Sequence, residues 1–236
     1  MRRYISSTAI LIILIAGVFV LSGCGGSPSS GSSGGSAHLS PGLTEYGTDM
    51  PPEQGDWLIR RLPVEMPHLN PLTSSDAYAT IVMDRIFDSL LFRDPMTLEL
   101  KPSVATEWTI SDDHLVYTFK LRTDVTFSDG VPLTAHDVKF TFDKLMDPTT
   151  DAPHLRNYFK DVTDCEAVDD HTVRFTCGQP YYLHTVILGL NYIMPKHIYG
   201  QGDFNNHPNN RNPVGSGMYV LEKWETGLQV VLARNE

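Results

Sequence analysis

Residues 117–142 read Tyr-Thr-Phe-Lys-Leu-Arg-Thr-Asp-Val-Thr-Phe-Ser-Asp-Gly-Val-Pro-Leu-Thr-Ala-His-Asp-Val-Lys-Phe-Thr-Phe and hold a strand, a turn and a helix start in succession. From Leu115 the apolar side chains fall at every second place, at Tyr117, Phe119 and Leu121, with Thr118, Lys120 and Arg122 on the other face. That period of two describes a half-buried strand. Asp129-Gly130 ends it, because glycine takes positive φ without steric cost. Thr134 then offers a hydroxyl that can accept from the Asp137 amide, and Asp137 puts negative charge in the first turn, where the helix dipole favours it. Val138, Phe142 and Leu145 give that helix an apolar stripe. These residue types build scaffold and carry no catalysis.

Outward from this stretch, Ser111-Asp112-Asp113-His114 closes a hairpin between Trp108-Thr109-Ile110 and Leu115 onward. A second hairpin runs from Val162 to Val168, turns at Asp169-Asp170-His171 and returns over Thr172 to Cys177. Tyr181 to Leu190 reads as a helix, and the Asn- and Gly-rich run from Gly200 to Asn212 reads as a disordered loop. Val214-Gly215-Ser216-Gly217 opens a third hairpin, Met218 to Trp224 and Leu228 to Leu232, with its turn at Thr226-Gly227. Upstream, Trp57 to Leu62 reads as a first strand, stopped by Pro63 and by the prolines of Pro67-His68-Leu69-Asn70-Pro71-Leu72. Thr73-Ser74-Ser75-Asp76 supplies cap residues, and Ala79, Met83, Ile86 and Leu90 recur at helical spacing, so a helix is expected from about Ala77 to Leu91. Amides at a helix start and short hydroxyl side chains can hold polar ligand groups. For Ser75 and Asp76 a plain helix cap is the competing reading.

The 236 residues are 41% hydrophobic, enough for a real core, and the formal charge of −10 argues against a nucleic-acid partner. Residues 1–23 have the form of an export signal, with Arg2 and Arg3 ahead of an apolar run from Ala9 to Leu21. That run is shorter than the roughly 20 residues a spanning helix needs. Leu21-Ser22-Gly23-Cys24 has the form of a lipobox, so Cys24 is expected to carry lipid and tether the mature protein to a membrane. Residues 24–54 form a linker, Gly- and Ser-rich from Gly25 to Ala37, with ordered structure expected from about Gly55.

Once Cys24 is lipidated, Cys165 and Cys177 are the remaining thiols, and an oxidising compartment favours a disulfide between them. Their offset across a three-residue turn leaves two buried free thiols as the alternative. No metal or cofactor is implied: two Cys without a second pair match no zinc spacing, and the nine His include no pair four apart on an expected helix. A hydrolase elbow around Ser216 needs glycine where Val214 and Met218 stand, and a dinucleotide loop needs a third glycine where Val220 stands. The chain does not read as an enzyme.

The run Leu121-Arg122, Phe127, Asp129-Gly130, Pro132-Leu133-Thr134-Ala135, Asp137-Val138 strongly resembles that of the family 5 extracellular solute-binding proteins, the peptide, nickel and related receptors that feed ABC importers. The resemblance extends through His68-Leu69-Asn70-Pro71, Ile86-Phe87-Asp88-Ser89-Leu90-Leu91, Leu100 to Trp108 and Asn212 to Tyr219, and so covers about Gly55 to Glu236. It implies a mixed α/β (α+β) fold with antiparallel hairpins and helices, the N-terminal part of a two-lobed, class II periplasmic-binding-protein-like architecture. Residues 55–236 would form the solute-binding domain, with about 55–78 and 192–236 in lobe I and about 79–191 as an inserted subdomain. It further implies that Ser75, Asp76, Ala77 and Tyr78 line the ligand cleft, with Ser216 and Gly217 beside it. The function it implies is a monomeric, extracytoplasmic lipoprotein that captures oligopeptides or dipeptides for an ABC permease. Alternatives are a nickel or metal-chelate receptor of the same fold and, more remotely, a surface lipoprotein hydrolase. Family members continue beyond Arg234-Asn235 into a second lobe, so the sequence reads as their N-terminal portion.

Overall fold

The computed structural model describes residues 58–235. The expected leader, Cys24, the linker and Trp57 lie outside the described residues. In chain order the elements are α1 (Ala77–Ile86), β1 (Leu91–Arg93), β2 (Leu100–Pro102), β3 (Ala105–Ile110), β4 (Val116–Leu121), α2 (Ala135–Met146), α3 (Pro153–Arg156), β5 (Val162–Asp169), β6 (Thr172–Cys177), α4 (His184–Gly189), α5 (Lys196–Tyr199), β7 (Tyr219–Glu225) and β8 (Gln229–Arg234).

The central strand-turn-helix forms as its residues dictate. Tyr117, Phe119 and Leu121 are buried on one face of β4, and Gly130 turns the chain at φ 86°. Thr134 opens α2 with its amide and hydroxyl both donating to Asp137 Oδ2, at 2.9 and 3.2 Å, while the Asp137 amide donates to the Thr134 carbonyl and not to the hydroxyl. β4 is an inner strand of a four-stranded antiparallel sheet in the order β3-β4-β6-β5. Val138, Phe142 and Leu145 of α2 are buried in the same core as this sheet, where Phe175 meets Phe119 and Phe142 edge-on at ring separations of 6.0 and 5.9 Å. Each such buried side chain contributes roughly 1.5–3 kcal/mol relative to exposure.

A smaller core lies apart from this one. Ala79, Val82, Met83 and Ile86 on one side of α1 pack with Met66, Leu69 and Phe87, and the β7–β8 ribbon lays Leu221, Trp224, Val230 and Leu232 against them. The segment after Asn191 is bonded to both α1's exit and α2. Ile193 N donates to the Asp88 carbonyl, Met194 N to Thr141 Oγ1 and Lys196 N to Asp137 Oδ1, each at 2.9 Å.

Several expectations are corrected. Residues 58–62 form no strand, and Leu58 and Ile59 are exposed, since an extended stretch needs a neighbouring ladder to become one. The first helix stops at Ile86, five residues early. Its would-be last turn is drawn off by tertiary pairing, with Ser89 bridging to Tyr192 and Leu91 entering β1. The second hairpin turns on two residues, because Asp169 pairs with Thr172. The helix expected from Tyr181 to Leu190 is α4, which begins at His184 and ends at Gly189. Residues 200–212 are ordered. Fully buried Asn70 donates to Asn210 Oδ1 at 3.0 Å and to the Phe204 carbonyl at 3.4 Å, while its own oxygen accepts from Leu72 N at 3.0 Å.

The expected Cys165–Cys177 disulfide is also corrected, since both thiols are buried and free. Cys165 stands opposite Phe175, and Cys177 opposite Val162. The two cysteines are therefore diagonal neighbours, about 7–8 Å apart before the bulge after Val162 is counted, and a disulfide needs roughly 4.4–6.8 Å. Burial pushes the Cys177 thiol up to about 11 and the Cys165 thiol further. In protein beginning at residue 25, Ellman's reagent at pH 8 is expected to find neither thiol until denaturant is added, and then both. Rapid reaction of either in the native state would contradict this burial.

Candidate ligand-binding wall

At the start of α1 the Asp76 carboxylate accepts from Tyr78 N at 2.9 Å and Ala79 N at 2.7 Å, which makes it the N-cap. Its own amide donates to Ser74 Oγ at 3.4 Å. Capping thus occupies the Asp76 side chain and two of the first-turn amides. Ser75 and Ala77 are exposed, and Tyr78 is half-buried against the Met66–Leu69 cluster. Thr73 Oγ1, three residues before the cap, is shielded and meets no partner among the described residues.

Gly215, Ser216 and Gly217 lie at the other end of α1. Gly217 N donates to the Ile86 carbonyl at 2.8 Å, and Ser128 N donates to the Gly215 carbonyl at 2.9 Å. A Cβ on Gly215 would sit 2.0 Å from the Ile86 oxygen, and one on Gly217 would sit 2.6 Å from the Arg85 oxygen. Glycine is required here for close backbone approach. Asn235 closes the turn from outside, donating through Nδ2 to the Gly217 carbonyl and through its amide to the Met218 carbonyl, both at 2.9 Å.

The structure therefore does not gather the six expected ligand residues into one pocket. Ser75 to Tyr78 and Ser216-Gly217 stand at opposite ends of a ten-residue helix, about 15 Å apart along its axis. What lies between and beside them was not singled out from sequence. Tyr192 donates its phenol hydrogen to Asp84 on the flank of α1. Burial, and then Asp84, push that phenol well above its ordinary value. Past the helix end, burial raises the Asp88 carboxyl, while the Arg122 guanidinium opposes the shift, and the shielded Ser216 hydroxyl has no hydrogen-bond partner among the described residues. Asp84 and Asp88, four apart beside an apolar stripe, were a visible signal. Tyr192, 108 positions from Asp84, gave none.

The tip of the ribbon is clamped to the preceding loop. Glu65 accepts from Trp224 Nε1 at 2.9 Å and Gly227 N at 2.8 Å, and the Arg211 guanidinium lies 3.8 Å from the centroid of the Trp224 ring. The Gly227 amide is the largest influence holding Glu65 below the ordinary carboxylate range. Away from α1, an open groove is lined by Pro132, Thr134, Lys196 and His197, with His197 Nε2 2.7 Å from Asp129. Among the described residues no three His, Cys, Asp or Glu side chains are grouped so as to hold a metal ion. None of the described helices is long and apolar enough to cross a membrane.

Residues 99–236, more than half of the chain, match the family described as bacterial extracellular solute-binding proteins, family 5 Middle. The chain belongs to this family. It is 42% identical over 144 residues to Protein XP55 of Streptomyces lividans, covering 61% of this chain and 26% of that protein. It is 34% identical over 163 residues to the glutathione-binding protein GsiB of Escherichia coli, covering 66% of this chain and 30% of that protein. Among solved structures, NikZ from Campylobacter jejuni in complex with Ni(L-His) superposes with a TM-score of 0.66 at 33% identity, over 73% of this chain and 34% of that one. DppA from Helicobacter pylori in complex with the peptide STSA gives 0.65 at 27% identity, over 73% and 38%. The fold is thus that of the periplasmic binding proteins, and the chain spans about a third of the length of the relatives it matches. The family is one of extracellular solute-binding proteins, and DppA is described as an ABC transporter-associated periplasmic binding protein.

The glycine contact yields a direct test. Gly215→Ala is expected to destabilise the protein by about 1–3 kcal/mol through overpacking against the end of α1. Gly130→Ala, whose added Cβ meets nothing within 4 Å, bears only the strain of its positive φ. Urea unfolding of the two variants side by side separates close packing from backbone conformation.

Proposed function

We propose that this chain forms one wall of the ligand cleft of a lipid-anchored receptor that delivers oligopeptides or dipeptides to an ABC permease. The observation that carries this reading is the β7–β8 ribbon, two strands with no further neighbour among the described residues, seated on α1. Its outer edges offer amides and carbonyls to which an extended peptide can add as a strand, and the side chains then need only roomy pockets. The exposed start of α1 and the Gly215–Gly217 turn border that ribbon and supply the remaining polar contacts.

About residues 55–78 and 192–236 are assigned to lobe I and about 79–191 to an inserted subdomain. The two apolar clusters do not follow that division: the larger one takes in Leu72, Ile193, Met194, Tyr199 and Phe204 of lobe I, and α1 of the insert packs in the smaller one with the lobe I ribbon. Lobes of such receptors close on ligand about a hinge, so capture draws on contacts made only in the closed state. Similarity to NikZ, solved with Ni(L-His), supports a second reading in which the same wall serves a metal chelate.

Calorimetry separates these. Protein comprising residues 25–236 is expected to bind dipeptides to pentapeptides, and Ni–histidine, more weakly than about 1 μM, equivalent to about −8 kcal/mol. Sub-micromolar binding of either ligand would overturn the one-wall reading, and its identity would choose the ligand class. The tether has its own test: Cys24→Ala is expected to abolish labelling by radioactive palmitate and shift the protein from the membrane to the soluble fraction. Undiminished labelling would remove Cys24 from the proposal.

A further inference from the structure

His184 is fully buried at the start of α4, and neither of its ring nitrogens has a hydrogen-bond partner among the described residues. A buried imidazole normally places at least its N–H on an acceptor, and leaving a buried polar group unpaired costs roughly 1–3 kcal/mol. The ring is packed edge-on against two aromatics, Tyr117 of β4 at 5.7 Å and Tyr181 of its own segment at 5.4 Å. The segment that carries it is short and is held at its far end, where Leu188 enters the main core and Gly189 abuts Leu91, while its near end is open. Tyr181 and Tyr182 are exposed at 39% and 83%, α4 has six residues and no side-chain cap, and its inward residues are His184, Leu188 and Gly189.

We propose that residues 181–189 form an acid-released flap on the face of the central sheet, with His184 as its latch. Neutral imidazole can stay among the aromatics, whereas imidazolium must carry a charge and two donors into a place that answers none of them. The groups facing it are Tyr117 on β4, Cys177 on β6 beside Tyr117, Tyr181 on its own segment, and Asp161 in the turn before β5. Asp161 is the acidic group among them and favours the cation, but burial outweighs it and holds the folded imidazole below 6.5. With a depressed folded value, the closed flap is fully favoured above pH 6.5, and its advantage is lost as pH falls below that. An extracytoplasmic protein meets that range directly.

The test is hydrogen–deuterium exchange on the full chain between pH 5 and 7.5, corrected for intrinsic rates. Protection of amides in 185–190 is expected to fall as pH drops below 6.5, by no more than about tenfold per pH unit, the limit for one proton, while amides of β4 and β6 stay protected. In His184→Phe the slope is expected to vanish. A flat wild-type profile, an unchanged slope in His184→Phe, or parallel loss across the sheet would each overturn the flap. Should His184→Phe fail to fold, the wild type decides: loss of 185–190 protection that tracks the titration of the His184 Cε1 proton resonance supports the latch, and loss at a different pH, or none, rejects it.

Discussion

The approach of Gly215 and Gly217 to the last carbonyls of α1 is the constraint on which the rest of the candidate wall depends. With Gly217 N bonded to the Ile86 carbonyl and no room for a Cβ at either glycine, the chain is fixed where it enters the β7–β8 ribbon. The ribbon's apolar side then has one surface to cover, the face of α1 that carries Val82, Met83 and Ile86. At the far end, the bonds of Glu65 to Trp224 and Gly227 stop the ribbon from pivoting about that contact. A helix held at one end by backbone and covered along its length by a clamped ribbon is a rigid surface, and rigid surfaces hold binding groups in register.

The second junction is polar and buried. Asp137 and Thr141 lie four apart on α2, and each uses one oxygen to accept an amide from residues 194–196. Asp137 also accepts from the Thr134 amide at 2.9 Å, so the group that starts the helix also docks it. Buried acceptors satisfied in this way specify one arrangement over its neighbours, because any slip leaves a buried donor or acceptor unpaired.

Local devices were legible in the sequence. β4, the Gly130 turn, the start of α2 and the three hairpins follow from period-two alternation, glycine φ and an acid three residues after a threonine. Each of those signals is complete within a few residues. The misreadings share a different origin, in which a distant partner decided. Leu90 continues the stripe of α1, but the Ser89–Tyr192 bridge ends the helix before it. The 200–212 run has no periodicity and is ordered by Asn70, whose nearest partner in that loop is 134 positions away. The site residues were legible as types but not as a constellation, because nothing local states that 75–78 and 216–217 flank one helix from opposite ends.

The two-stranded ribbon has a consequence for handling the molecule. Both outer margins of β7 and β8 present unpaired ladder groups among the described residues, and Met218, Tyr219 and Leu228 add exposed apolar surface at its ends. Such margins template strand pairing between copies, and Lys223, bonded to Glu225, is the kind of charged residue that discourages it. Concentrated preparations of these residues alone would therefore self-associate through that ribbon, and shielding it with a fused strand or an added charge is the rational route to a tractable sample.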